Sequence, residues 1–249
     1  MKDSLLWGKI PLQANSEMEL SVQNKKLLLI SSNDFVSFKV SAPEKTLEEA
    51  ELSRVIGKAQ DMYILPALPD RPVVLKPKTN LSILPATSYK FYAYLPATFQ
   101  LFAGAVREDK KIYEKKIEQL SSTWFGETTE GELCYALYTS FDTSINADKK
   151  GHDFVICPIE VSNNSKDILE IKRLAIRGIH LSIYGNNELM MSNKVKIKYN
   201  GFESLSDIQF AKNAPSSAPN LKLIAAPRIP ENNTVFKRSF QLIRHITQY

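Results

Sequence analysis

Proline spacing constrains this chain more than any other feature. Pro66, Pro69, Pro72, Pro77, Pro85 and Pro96 punctuate the stretch 62–106. A proline inside a helix removes a backbone donor and clashes with the preceding turn, whereas edge strands and tight corners accept it. The intervening segments Val73–Lys76, Leu81–Leu84, Tyr89–Leu95 and Thr98–Phe102 have strand length and strand composition. In Lys90–Tyr94, Phe91 and Ala93 share one face, and Tyr92 and Tyr94 the other.

The same grammar runs through most of the chain. Glu19–Val22 and Lys26–Ser31 flank an Asn-Lys turn, and Asp34–Val40 places Val36, Phe38 and Val40 on one face. His152–Val161, Ile168–Tyr184, Ser192–Tyr199 and Leu221–Ala225 read as further strands, with Gly185-Asn-Asn-Glu as a hairpin turn. Pro158 inside a strand marks an edge or a bulge. The exception is Pro43–Gln60, where Leu52, Val55, Ile56 and Ala59 fall at helical spacing behind Pro43 and a run of glutamates. That spacing predicts one helix. Thr234–Ile246 fits either a helix or a strand.

Ser121–Phe141 reads as a long hairpin at the middle of the chain, turning through Glu127–Glu132 with Gly131 at positive φ. Leu133, Tyr135, Leu137, Thr139 and Phe141 share one face, large and mostly apolar, and are the expected core face. Cys134, Ala136, Tyr138 and Ser140 share the other. The prediction is a mainly β protein: two packed antiparallel β-sandwich-like units with one short helix, dividing at 1–118 and 119–249.

At 249 residues the chain is long enough to bury a real core. The net charge of +5 is mild, and the 27 acidic residues are interspersed with the basic ones, so no concentrated nucleic-acid footprint stands out. The most charged window, Arg107–Lys116, mixes Glu and Asp with Lys and reads as a solvated connector or exposed hairpin. No apolar run approaches the roughly 18 residues of a transmembrane segment. The first residues lack the apolar stretch of a signal peptide. A cytoplasmic protein with Cys134 and Cys157 reduced is expected.

The chemistry-bearing residues are sparse. His152, His180 and His245 have no second ligand at metal spacing, so neither a metal site nor a cofactor is expected. No nucleophile elbow and no cysteine signature is present, and Gly126 and Gly131 lack the Lys-Ser/Thr that a phosphate loop needs. Glu127, Glu130, Glu132 and Asp142 cluster around the hairpin. They carry one alternative, a hydrolase acting on a carbohydrate or similar polar substrate.

Two surfaces remain. Lys194, Lys196 and Lys198 alternate with Val195, Ile197 and Tyr199. They suit contact with nucleic acid or an anionic surface, or guard an edge strand against association. Tyr89, Tyr92, Tyr94, Trp124, Phe125 and Tyr138 suit a stacking platform, but large strand aromatics belong mostly to cores, and Trp124 is expected there. The reading that results is a non-catalytic binding or interaction protein. Its candidate binding residues are Trp124, Phe125, Tyr138, Lys194, Lys196 and Lys198, and its expected partner is another protein rather than nucleic acid.

Leu120-Ser-Ser-Thr-Trp-Phe-Gly-Glu127, then Gly131-Glu-Leu-Cys-Tyr-Ala-Leu137, together with Lys76-Pro77, Leu81-x-Ile83-x-Pro85 and Phe91-Tyr-Ala-Tyr94, resemble an uncharacterised prokaryotic family, a domain of unknown function. The resemblance covers most of the chain. It implies a cytoplasmic, β-rich prokaryotic protein and carries over no activity and no site residues.

Overall fold

The structure, a computed structural model, describes residues 7–45, 49–57, 61–115, 120–126, 128–129, 131–201, 205–230 and 235–239. It is mainly β. In chain order the strands are β1 Gly8–Ile10, β2 Ser16–Val22, β3 Lys25–Ser31, β4 Val36–Ser41, β5 Leu52–Gly57 and β6 Met62–Ala67. They continue as β7 Val73–Pro77, β8 Leu81–Ile83, β9 Thr87–Pro96, β10 Thr98–Ala103, β11 Lys111–Glu114, β12 Ser121–Phe125 and β13 Glu132–Thr139. Next come β14 Gly151–Asn163, β15 Leu169–Ile171, β16 Leu174–Ile176, β17 Ile183–Gly185 and β18 Leu189–Ser192. The last are β19 Val195–Tyr199, β20 Leu205–Phe210, β21 Lys222–Ala225 and β22 Val235–Ser239.

By contact the chain forms two compact units, Met1–Leu65 with Phe99–Lys115, and Pro66–Thr98 with Lys116–Tyr249. The stretch Pro66–Thr98 groups with the second unit, whereas the sequence expectation drew its boundary at 118.

The first unit holds two four-stranded sheets, ordered β2-β3-β4-β5 and β1-β6-β10-β11. Its core follows from register. Leu27 lies opposite Val40 and Leu29 opposite Phe38, and all four are buried. The Phe38 ring meets Tyr113 of β11 edge-on, with centroids 6.0 Å apart. Lys25 is buried beside this core, and its ammonium is held by Glu51 at 2.7 Å. The charged window at 107–116 resolves into a short turn at Glu108–Lys110 and the strand β11, with Lys111 bridging Glu108 and Glu114.

Among the described residues, the expected helix at Pro43–Gln60 is not found. Leu52–Gly57 is the edge strand β5, paired with β4 from Val36 to Val40. Thr46–Glu48 and Lys58–Gln60 lie outside the described residues. Helical spacing of Leu52, Val55 and Ile56 misled because an edge strand need not hide its apolar side chains, and Val55 is 71% exposed. β-branched Val55 and Ile56 beside Gly57 suit a strand better than a last helical turn.

The second unit is built around β14. One side pairs antiparallel with β9 without interruption from Phe154 to Asn163. The other side pairs parallel with β18 up to Ile156, then parallel with β19 from Ile159. Pro158 falls in the gap between those two partners, where a missing N–H breaks no ladder bond. The proline therefore marks a handover between neighbours in a central strand rather than an edge. A parallel pair also joins β7 to β13, so parallel pairs occur beside the expected antiparallel ones. Side-chain periodicity is the same in parallel and antiparallel strands and does not distinguish them. In Thr234–Ile246 the structure places the strand β22, and residues 240–249 lie outside the described ones.

Phe38→Ala removes a fully buried ring from the first unit. It should destabilise that unit by about 3–5 kcal/mol in urea denaturation.

Candidate functional site

The hairpin lies at one end of the sheet β12-β13-β7-β16. Its register pairs Trp124 with Leu133, Thr123 with Cys134, and Phe125 with Glu132. Paired residues share a face, and the two faces differ sharply. Phe125 and Cys134 are buried with Val74 in one small cluster. Trp124 and Leu133 stand on the opposite face, 47% and 45% exposed.

Two expectations are overturned here. Leu133 and Tyr135 do not face the core at this end, Leu137 is half-buried, and Trp124 is not a core ring. The residues sharing a face were assigned correctly. What failed was the assumption that the larger face points inward. On that face Val73, Leu75, Leu174 and Ile176 are buried on β7 and β16, and the cover does not extend to Trp124 and Leu133. Size alone does not tell where a cover ends.

The aromatic side chains around the hairpin are fixed by charge. The Tyr135 hydroxyl donates to Asp70 Oδ1 at 3.0 Å, and the Arg71 guanidinium lies 5.8 Å from its ring centroid. Tyr138 is 70% exposed on the other face, with Lys76 Nζ donating to its hydroxyl at 3.2 Å and lying 4.9 Å from its ring centroid. Of the expected aromatic site residues, Phe125 is core, and Trp124 and Tyr138 are exposed on opposite faces.

Two arginines flanking β16 reach back to the hairpin. Arg177 pairs with Glu132 at the start of β13. Arg173 lies 5.1 Å from the Phe125 ring centroid, and its Nη2 donates to the Trp124 carbonyl at 3.1 Å. A flat sheet would hold its two outer strands about 14 Å apart, three inter-strand spacings. An arginine beside one outer strand that touches the other requires the sheet to curl. The buried cluster of Val74, Phe125 and Cys134, with Ala175 against it, fills the inside of that curl. Arg173, Ala175 and Arg177 share a parity, the sequence signal that would have placed both arginines on this face.

The lysine surface differs from expectation. β19 lies between β14 and β20, so Lys196 and Lys198 are not on an edge strand. They share an exposed face, and Lys194, just before the strand, reaches Glu160 at 3.3 Å. Across the sheet Glu160 lies between Lys90 and Lys196, and Lys198 lies between Ser162 and Asp207. The lysines are therefore interleaved with carboxylates.

Among the described residues, the remaining candidates lie apart from one another. Glu127 and Glu130 lie outside the described residues. Glu132 is neutralised by Arg177, and Asp142 lies beyond the far end of β13, where its backbone bonds Tyr92. His180 sits in a short turn rather than a strand, its Nδ1 3.4 Å from the Ile229 carbonyl. His152 opens β14, where burial pushes its pKa down. His245 lies outside the described residues. No cluster of potential metal ligands occurs among the described residues. A cleft between the apolar face of β19–β20 and the end of β16, lined by Val195, Ile197, Ile208, Phe210, Arg177 and His180, has a volume of about 20 Å³. That is room for water rather than for an organic ligand.

Cys134 and Cys157 are buried, unpaired thiols. Burial pushes them up to about 11 and about 12 respectively. A raised folded-state pKa stabilises the fold below the ordinary thiol pKa, and that contribution is lost as pH rises through the folded value.

A family model described as protein of unknown function (DUF432) matches residues 6–244, and the chain belongs to that family. No curated protein and no solved structure matches it. No helix among the described residues is long and apolar enough to cross a membrane.

Both thiols should resist iodoacetamide at pH 8 in the native chain and react at once in urea. Between about pH 9 and 12 a Cys157→Ala chain should lose less stability than the parent. With Trp7, which is buried, changed to Phe, the Trp124 indole should emit at long wavelength and be quenched freely by iodide. Trp124→Ala should then leave the denaturation midpoint nearly unchanged, within about 1 kcal/mol.

Proposed function

We propose that this DUF432 protein is a non-catalytic interaction protein whose docking face is the outer face of the β12–β13 hairpin. The observation that carries the reading is the cross-strand pair Trp124–Leu133, two large side chains left about half exposed on a well-paired sheet. Beside it stands Tyr135, held by Asp70 and Arg71. A rigid aromatic centre with a charged rim is what dominates protein interfaces, because it loses little entropy when covered. The paired neighbours keep Trp124 and Leu133 on one face, so a partner meets a preformed surface. The interleaved charges on β19 support this reading over an anionic surface. Glu132 held by Arg177 at the start of β13, and Asp142 beyond its far end beside Tyr92, support it over a hydrolase. The cytoplasm is the proposed compartment, and two buried free thiols are consistent with it.

A photo-crosslinking amino acid at position 133 should trap a discrete protein adduct in cells, and the same group at the exposed Val55 should not. Affinity of the purified adduct partner should fall at least about tenfold in Trp124→Ala, as for an interface anchor. Equal trapping at 133 and 55, or undiminished affinity in Trp124→Ala, would refute the assignment.

A further inference from the structure

The edge of β12 is a separate surface from its Trp124 face, and its chemistry follows from backbone parity. The Tyr135 N–H donates to the Pro72 carbonyl, and the Thr139 carbonyl accepts from Lys78 N–H. Odd-numbered residues of β13 therefore turn their backbone groups towards β7, and even-numbered ones towards β12. Glu132 opposes Phe125, Cys134 opposes Thr123 and Ala136 opposes Ser121, so these three pairs carry the hairpin ladder. The N–H and C=O of Ser122 and Trp124 consequently point away from β13, along the outer edge. The Arg173 bond to the Trp124 carbonyl at 3.1 Å agrees with that direction.

Within the described strand itself, this edge lacks the usual protection. Strands at a sheet boundary are commonly guarded by charge, proline or a bulge. Ser121–Phe125 carries no charge and no proline, and its register runs without a shift. It is also self-complementary. In an antiparallel pairing of two copies centred on Thr123, each Trp124 falls opposite the other copy's Ser122, large against small. No like charges would meet within the paired strands. The hydrogen bonds of that pairing would run between the Ser122 N–H of one copy and the Trp124 carbonyl of the other. That carbonyl is the one Arg173 holds.

We infer that Arg173 is a latch on the β12 edge, which keeps a second copy of this chain from adding to the sheet at Ser122–Trp124. The guanidinium reaches the edge from the far outer strand by lying over Phe125, so the curl of the sheet sets the latch. The charge that β12 itself lacks is thereby supplied from outside the strand. The latch concerns the edge and self-association, and it stands whether or not a partner docks on the Trp124 face.

The test uses the full chain without any partner. Arg173→Met keeps the aliphatic cover over Phe125 and removes the donors. Its molar mass by light scattering should rise to that of a dimer or larger at concentrations where the parent's is unchanged, with at least tenfold tighter self-association. Ser122→Pro removes an outward N–H without touching the hairpin ladder. Alone it should leave the far-ultraviolet circular dichroism intact, and added to Arg173→Met it should restore the parental mass. A folded Arg173→Met chain with parental mass overturns the latch. Association that survives Ser122→Pro overturns it as well, because the contact is then elsewhere. Loss of fold in Ser122→Pro alone would show the edge parity to be wrong. An unfolded Arg173→Met chain would make the arginine a requirement of the fold rather than a latch, and would also overturn the inference.

Discussion

The contact between Arg173 and the Phe125–Trp124 end of β12 sets the geometry of the hairpin. It joins the two outer strands of one four-stranded sheet, so that sheet must curl. The curl creates a space for Val74, Phe125 and Cys134, and it turns the other face outward at Trp124 and Leu133. Arg177 adds a second tie at Glu132, where the chain re-enters the hairpin. Neither tie is large by itself. A guanidinium over a ring contributes about 0.5–2 kcal/mol, and a partly exposed ion pair about 1 kcal/mol or less. Their effect lies in direction, since they decide which face of a thin sheet is sheltered.

The strand content was legible because its signals are local. Proline punctuation ruled out helices over 62–106, and alternation grouped the correct residues on each face of β13. The side of burial was not legible. Leu133, Tyr135 and Leu137 look like a core face by size, yet burial is decided by what lies across the sheet. That cover lies over Val73, Leu75, Leu174 and Ile176 on the neighbouring strands β7 and β16, and it does not extend as far as Leu133. Trp124 was misjudged for the same reason, whereas Phe125, one residue on, is core by the opposite parity. The helical spacing in Leu52–Ile56 failed because β5 is an edge strand with little to bury.

β14 shows how a central strand can disguise itself. Pro158 suggests an edge, because a ladder has no place for a residue without an N–H. The strand resolves this by changing partners at the proline, with β18 before it and β19 after it. On the other side β9 pairs throughout, and there the Tyr92 N–H bonds the Asp142 carbonyl instead of β14. The proline and its opposite number thus both lie where no bond across that pair is required. A sequence pattern does not reveal this, because it depends on where two distant strands end.

The two candidate surfaces separate once their neighbours are known. Lys196 and Lys198 kept their shared face, but register sets Glu160 beside the first and Asp207 beside the second. A field built from such alternation decays within a Debye length of about 8–10 Å and gives little attraction for a polyanion. Burying Trp124 and Leu133 needs no charge at all. It removes apolar area from water at about 25 cal/mol per Å², and the side chains already stand side by side on one strand pair. Among the residues singled out from sequence, Trp124 thus gains its functional interest from the failure of its expected burial. The proposed docking face is that exposed pair, and the hairpin register holds it in place.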